Sequence, residues 1–170
     1  MKSIILFRHG KSEWNIDYDT DHSRPLASRG IKAAELMGIF LMEKDEIPDL
    51  IICSTAIRAK ETLQRAAKAG HWPSSIKFEP EIYGGSPSKI LSIAKKQLDS
   101  FESICFFGHE PNFSTFISRT CTINPIRFTM ANMANMANMA KINFKVDSWK
   151  NLRFNEGLLA WHQRPKELNH

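Results

Sequence analysis

Short apolar runs without polar alternation, separated by stretches of helical period, constrain this chain more than any other feature. Ile51-Ile52-Cys53 and Ile104-Cys105-Phe106-Phe107 carry no polar residue on either parity, as strands buried on both faces require. Ile4-Ile5-Leu6-Phe7 has the same character. Strands are expected at Ser3–Arg8, Leu50–Ser54, Ile76–Glu79, Ser103–Gly108, Ala140–Val146 and Gly157–Trp161. Helices are expected at 27–44, 55–70, 87–99 and 112–120. In the first of these Ala33, Ala34, Met37, Phe40 and Leu41 recur on helical spacing, and Pro48 is expected to end it. Strands alternating with helices of this length predict a three-layer α/β/α sandwich around a central, mostly parallel sheet. One domain over residues 1–170 is expected.

Composition narrows the function classes. A chain with 42% hydrophobic and 24% charged residues is ordinary for a globular protein. No apolar run approaches the roughly 20 residues of a membrane span, and Ile4–Phe7 is too short for the apolar core of a signal peptide. The three cysteines are odd in number and lack metal-type spacing, so a reduced cytoplasm is the expected home. The formal charge of +5 favours anionic ligands. Its basic residues are scattered, with no Lys/Arg block interleaved with aromatics, which argues against a nucleic-acid partner. No membrane partner is expected either, and the chain is expected to be a monomer.

Open sheets of this class bind ligands beyond the carboxyl ends of their strands. Arg8-His9-Gly10 follows the first strand and Gly108-His109 the fourth, while Ser54 and Arg58 mark the start of the helix after the second. Arginine offers a planar fork that bonds two phosphoryl oxygens and keeps its charge near neutrality. Histidine attacks phosphorus when one ring nitrogen is unprotonated, which requires an acceptor on the other; a backbone carbonyl is the simplest. Gly10 allows the backbone to approach closely. Asn15, in the loop that follows, is a further candidate phosphate donor by position.

Arg8-His9-Gly10-Lys11-Ser12 resembles the signature of the histidine phosphatase superfamily, which also contains cofactor-dependent phosphoglycerate mutases. Arg24-Pro25-Leu26 with Arg29-Gly30, then Ser54 to Thr62, then Gly108-His109-Glu110-Pro111 resemble its later motifs in the expected order. Phe144 to Trp149, Gly157-Leu158-Leu159 and Arg164 to Leu168 resemble the compact SixA-type phosphohistidine phosphatases. The resemblance covers nearly the whole chain. It implies a phosphoglycerate mutase-like fold, His9 as nucleophile, and Arg8, Arg58 and His109 around the phosphate. It implies no metal or other cofactor, and a phosphorylated protein or a small phosphorylated metabolite as partner. Mutases of the superfamily are longer, with insertions over the site.

Two departures stand out. Where many relatives have a glutamate general acid, this chain has Gly84, with Glu81 as the nearby substitute. A phosphohistidine imidazole can collect its proton from solvent, whereas an alkyl phosphate needs a positioned acid, so the gap favours an activated substrate. The alternatives are a small phosphate ester with Glu81 as acid, or a phosphoprotein-binding module without turnover. The second departure is the Met-Ala-Asn repetition at about 130–140, read as a low-complexity insertion in a linking segment near the start of the fifth strand. A tolerated insertion without function is the expected reading; the alternative is an adaptable apolar surface of its four methionines by the site mouth. Asp17, Asp19 and Asp21 imitate a calcium loop, but His22 and Ser28 stand where Gly and Glu are required.

Overall fold

The computed structural model describes residues 1–14, 19–121 and 137–168. Six strands form one sheet in the order β3-β2-β4-β1-β5-β6: β1 (Lys2–Arg8), β2 (Leu50–Cys53), β3 (Ser75–Phe78), β4 (Ser103–Gly108), β5 (Met139–Phe144) and β6 (Gly157–Gln163). β3, β2, β4 and β1 run parallel, and β5 and β6 add an antiparallel edge. The helices are α1 (Ser28–Glu43), α2 (Ile57–Ala69), α3 (Pro87–Lys95) and α4 (Asn112–Thr120).

The period of two along each strand divides the core into two layers. Ile4, Leu6, Leu50, Ile52, Ile104 and Phe106 pack with Ile90 and Ile93 of α3 and Phe113 and Phe116 of α4. Their neighbours Ile5, Phe7, Ile51, Cys53, Cys105 and Phe107 pack with Met37 and Leu41 of α1 and Ala59 and Leu63 of α2. Both parities are apolar because both faces are covered, and the fold is the α/β/α sandwich that the sequence implies.

The boundaries differ in instructive places. α1 stops at Glu43, where Asp45 takes a left-handed φ of 57°, so Pro48 is not what ends it. α3 stops at Lys95 instead of running to 99, and the Gln97 side chain donates to the Ile93 carbonyl beyond it. β5 begins within the last Met-Ala-Asn triplet: Met139 pairs with Phe7 and Ala140 with Leu6, and both are fully buried. This part of the repetition is sheet core, because β1 needs an antiparallel partner there, and Met139 offers no surface to a ligand. Residues 130–136 of the expected insertion lie outside the described residues.

Candidate active site

β1 delivers Arg8 and His9 to the carboxyl edge of the sheet, and two backbone ladders fix their position. The His9 N–H donates to the Gly108 carbonyl of β4 (3.1 Å), and the Ala137 N–H donates to the His9 carbonyl (3.1 Å). Arg8 N–H donates to the Asn138 carbonyl (2.9 Å), so the chain entering β5 also holds the signature. The turn at Gly10 packs on the start of α1, where a Cβ on Gly10 would meet the Gly30 carbonyl oxygen at 2.7 Å. α2 is tied to the same turn: the Gly10 N–H donates to Thr62 Oγ1 (2.9 Å), and that hydroxyl donates to the Arg58 carbonyl (2.7 Å).

His9 is 6% exposed, and its ring nitrogens have separate partners. Nδ1 donates to the Gly10 carbonyl (2.7 Å), since a carbonyl can only accept. That leaves the lone pair on Nε2, which accepts from Arg58 Nε at 3.4 Å. Burial lowers the His9 pKa to about 4; the Gly10 bond opposes this, and the charges of Arg58, Arg8 and Arg24 add to it. The ring is therefore neutral at pH 7.

His109 follows β4 and lies against His9, with ring centroids 5.3 Å apart. Its Nε2 meets Ser54 Oγ at 2.7 Å, while Nδ1 is buried with no hydrogen-bond partner among the described residues. Burial first, then the neighbouring His9 and arginines, lower its pKa to about 3. Arg8 is half-buried, and burial lowers its pKa against the opposing charge of Glu110. Burial pushes the Glu110 carboxyl up, although it accepts from both the N–H and the hydroxyl of Ser114.

The four residues expected at the site, Arg8, His9, Arg58 and His109, thus converge. Asn15 lies outside the described residues. Glu81 pairs with Lys89 of α3 (3.2 Å), with both side chains more than half exposed. The side chain of that segment that reaches the histidines is Tyr83, whose ring stands edge-on to His109 at 5.4 Å. Gly84 turns the chain away with φ +71° and has open space where a side chain would be.

Sequence reasoning left three more groups unassigned. Arg24 is 6% exposed; it donates to Ser12 Oγ and to Asp21, stacks under Trp14 at 3.4 Å, and adds its charge to the field on His9. His22 bonds Thr55 Oγ1 (2.9 Å) and meets the Tyr83 ring edge-on. Asp21 accepts from Arg58, Arg24 and Tyr83 together. Arg24 belongs to the Arg24-Pro25-Leu26 motif, whereas its neighbours on the one-turn helix Asp21–Ser23 have no periodicity to reveal them. Among the described residues no three His, Cys, Asp or Glu side chains gather as metal ligands would, and no helix is long and apolar enough to cross a membrane.

The arrangement offers an unprotonated imidazole nitrogen amid three arginines, which suits a phosphoryl group. An uncharacterized protein of Mycobacterium tuberculosis is 34% identical over 107 residues, which cover 63% of this chain and 65% of that protein, just under two thirds of its length. Phosphohistidine phosphatase SixA of Escherichia coli is 24% identical over 120 residues, covering 69% of this chain and 73% of that one. A solved structure from Nakamurella multipartitia, assigned to SixA, superposes with a TM-score of 0.81 at 22% identity over 96% of each chain, which establishes the fold. Residues 4–82, just under half of the chain, match the model of the histidine phosphatase superfamily (branch 1), whose motifs the four residues gathered on this sheet edge resemble.

Proposed function

We propose that this chain is a phosphatase that works through a phosphohistidine at His9 and acts on phosphohistidine in a protein. The observation that carries the reading is the His9 imidazole, held by its own Gly10 carbonyl at Nδ1 so that the Nε2 lone pair faces Arg58. Nε2 attacks phosphorus in line, the bond to the leaving group breaks, and the leaving group departs with the electron pair and takes a proton. Water then attacks the phosphorus, the P–N bond to His9 breaks, and orthophosphate leaves. Arg8, Arg58 and His109 offset the charge that builds on the phosphoryl oxygens; one preorganised donor of this kind is worth about 10²- to 10³-fold in rate. Ser54 accepts from the Ala56 N–H (3.2 Å) and can give its own proton to His109 Nε2. His109 then carries its proton on Nδ1, the nitrogen without a partner among the described residues, as a donor to the phosphoryl group.

The substrate class follows from the leaving-group side. Glu81 is engaged by Lys89 on the surface, and Tyr83 lines the site in its place. An imidazole leaving group protonates from solvent without a positioned acid. The likeness to Escherichia coli SixA supports the same choice. His9→Ala should abolish both turnover of a phosphohistidine peptide and acid-quenched trapping of phosphate on the protein. Normal turnover in that variant sinks the mechanism, and a preference for sugar phosphates over the peptide sinks the substrate class.

A further inference from the structure

Four hydrogen bonds to the site converge on one acidic residue that the phosphoryl chemistry does not use. Arg58 Nη1 donates to the Asp21 carbonyl oxygen (2.7 Å) and Nη2 to its Oδ2 (3.0 Å). Arg24 Nη2 donates to Oδ1 (3.0 Å), and the Tyr83 hydroxyl donates to Oδ2 (2.8 Å). A carboxylate amid arginines could be an occupant of the phosphate seat, displaced by substrate, or a brace that aims the arginines. The fork of Arg58 decides between them. A guanidinium presents five N–H groups in one rigid plane. Asp21 takes one hydrogen from each terminal nitrogen, which is the far end of the fork, while the Nε–H points at His9. The edge formed by Nε–H and the second Nη2 hydrogen stays on the His9 side. One of the two anchors is also a main-chain carbonyl, which cannot swing out of a seat as a side chain can.

We propose that Asp21 is a positioning residue: it clamps the far end of Arg58, ties it to Arg24 and Tyr83, and so presents the near edge of Arg58 to a phosphoryl group on His9. The inference rests on the reading of His9 as the site of phosphoryl transfer, but part of it can be read without turnover. Partial burial of Asp21 is outweighed by Tyr83, Arg24 and Arg58, which hold its carboxyl at about 2, so the clamp is ionised across the working range. Tyr83 closes the network from the loop after β3, which explains why that residue turns inward while Glu81 stays outside.

The test is arginine side-chain NMR on the full chain, comparing wild type with Asp21→Ala and Tyr83→Phe. It is paired with the single-turnover rate of phosphoryl transfer to His9 at saturating phosphohistidine peptide. In wild type the Arg58 Nε–H should be protected from solvent exchange and rotation of its Nη groups restricted. In Asp21→Ala both should speed up, with transfer slowed about tenfold to a hundredfold, the cost of a misplaced group. Tyr83→Phe, which removes one of the four bonds and no charge, should move both readouts the same way by a smaller factor. Should Asp21→Ala not fold, Tyr83→Phe carries the test alone. Unchanged Arg58 exchange overturns the proposal. A mobile Arg58 with an equal or faster transfer rate also overturns it and makes Asp21 an occupant of the seat. If wild type forms no phosphoenzyme, the His9 reading fails, while Arg58 exchange still decides whether Asp21 clamps it.

Discussion

The two ends of the sheet each bury nitrogen-bearing side chains, and they treat them in opposite ways. At the amino edge Lys2 is 1% exposed, yet its ammonium has three acceptors: the carbonyls of Asp99 (2.5 Å) and Phe101 (2.9 Å) and the Glu102 carboxylate (3.4 Å). Asp99 also accepts from the Trp149 N–H and the Ser148 hydroxyl, and Asp49 accepts from the N–H groups of Glu102 and Ser103. At the carboxyl edge Arg24 and His109 are also buried, but Arg24 Nε and His109 Nδ1 have no hydrogen-bond partner among the described residues. Burying an unpaired polar group costs about 1–3 kcal/mol. A saturated edge holds the fold together. An unsaturated one stores that cost against a ligand that brings the missing acceptors.

The largest effect expected at the carboxyl edge is on rate. Arg58→Ala should slow turnover of a phosphohistidine peptide about 10²- to 10³-fold, as loss of one preorganised donor does. Its thermal midpoint should change little, because the removed group is only half of a network that includes Arg24. A large drop in midpoint with modest loss of rate would break the contrast. Lys2→Met is the converse variant. It strands the Asp99 carbonyl and removes a fully bonded ammonium, at a cost of about 2 kcal/mol. For a chain of this length that is a fall of about 4–8 °C in midpoint. The rate of the folded fraction should stay at the wild-type value.

The carboxyl edge was far more legible in its strand-end residues than in its loops. Arg8, His9 and His109 each follow a buried apolar run, and Arg58 stands in the first turn of a helix, so position at the strand ends made them candidates and the motif resemblance gave them their expected roles. Asp21, Arg24 and Tyr83 belong to irregular segments whose path depends on tertiary contacts. Asp21 belongs to a run that imitates a calcium loop, which His22 and Ser28 rule out in the sequence, but its place between Arg24 and Arg58 is visible only in the fold. Tyr83 was hidden by its neighbour: the left-handed turn at Gly84 sets which side chain faces inward, and spacing along a sequence does not encode that. The fold shows the same division. All six strands were legible, and the fifth, expected from Ala140, starts one residue earlier because Met139, in a repetition that resembles a linker, is claimed by pairing with β1.

The next effect is one of pH, and its window separates the two edges. His9 and His109 hold pKa values of about 4 and about 3 in the fold, below the ordinary 6.5. Between pH 6.5 and about 4 the unfolded chain binds protons at these positions that the folded chain does not. Stability is therefore flat above 6.5 and falls as the pH drops toward 4, by up to about 1.4 kcal/mol per pH unit for each histidine. At the amino edge Asp99 is held below its ordinary 3.8 by the Trp149 N–H and the Ser148 hydroxyl, so its share is lost only at lower pH. Denaturant melts at pH 7, 6, 5 and 4 should show the fall, and His109→Asn should flatten it. A level profile from pH 7 to 5 would remove the claim that these rings are buried neutral.

The smallest effect is expected at Glu81, which tests whether a place at the carboxyl edge suffices for a role. Its carboxylate meets Lys89 at 3.2 Å, more than half exposed on both sides. Such a pair is satisfied like those of the amino edge, and it is wet as well, so it stabilises by at most about 1 kcal/mol. Glu81→Gln should leave turnover of a phosphohistidine peptide within about twofold, since an imidazole leaving group needs no positioned acid. The informative control is an alkyl phosphate, for which proton donation contributes about 10²- to 10⁴-fold. If Glu81→Gln slows the peptide by that factor, the carboxylate leaves Lys89 during the reaction and Tyr83 is not the boundary of the site. If neither substrate responds, what distinguishes the working groups is a buried polar atom with no hydrogen-bond partner among the described residues, which Glu81 lacks and His109 has.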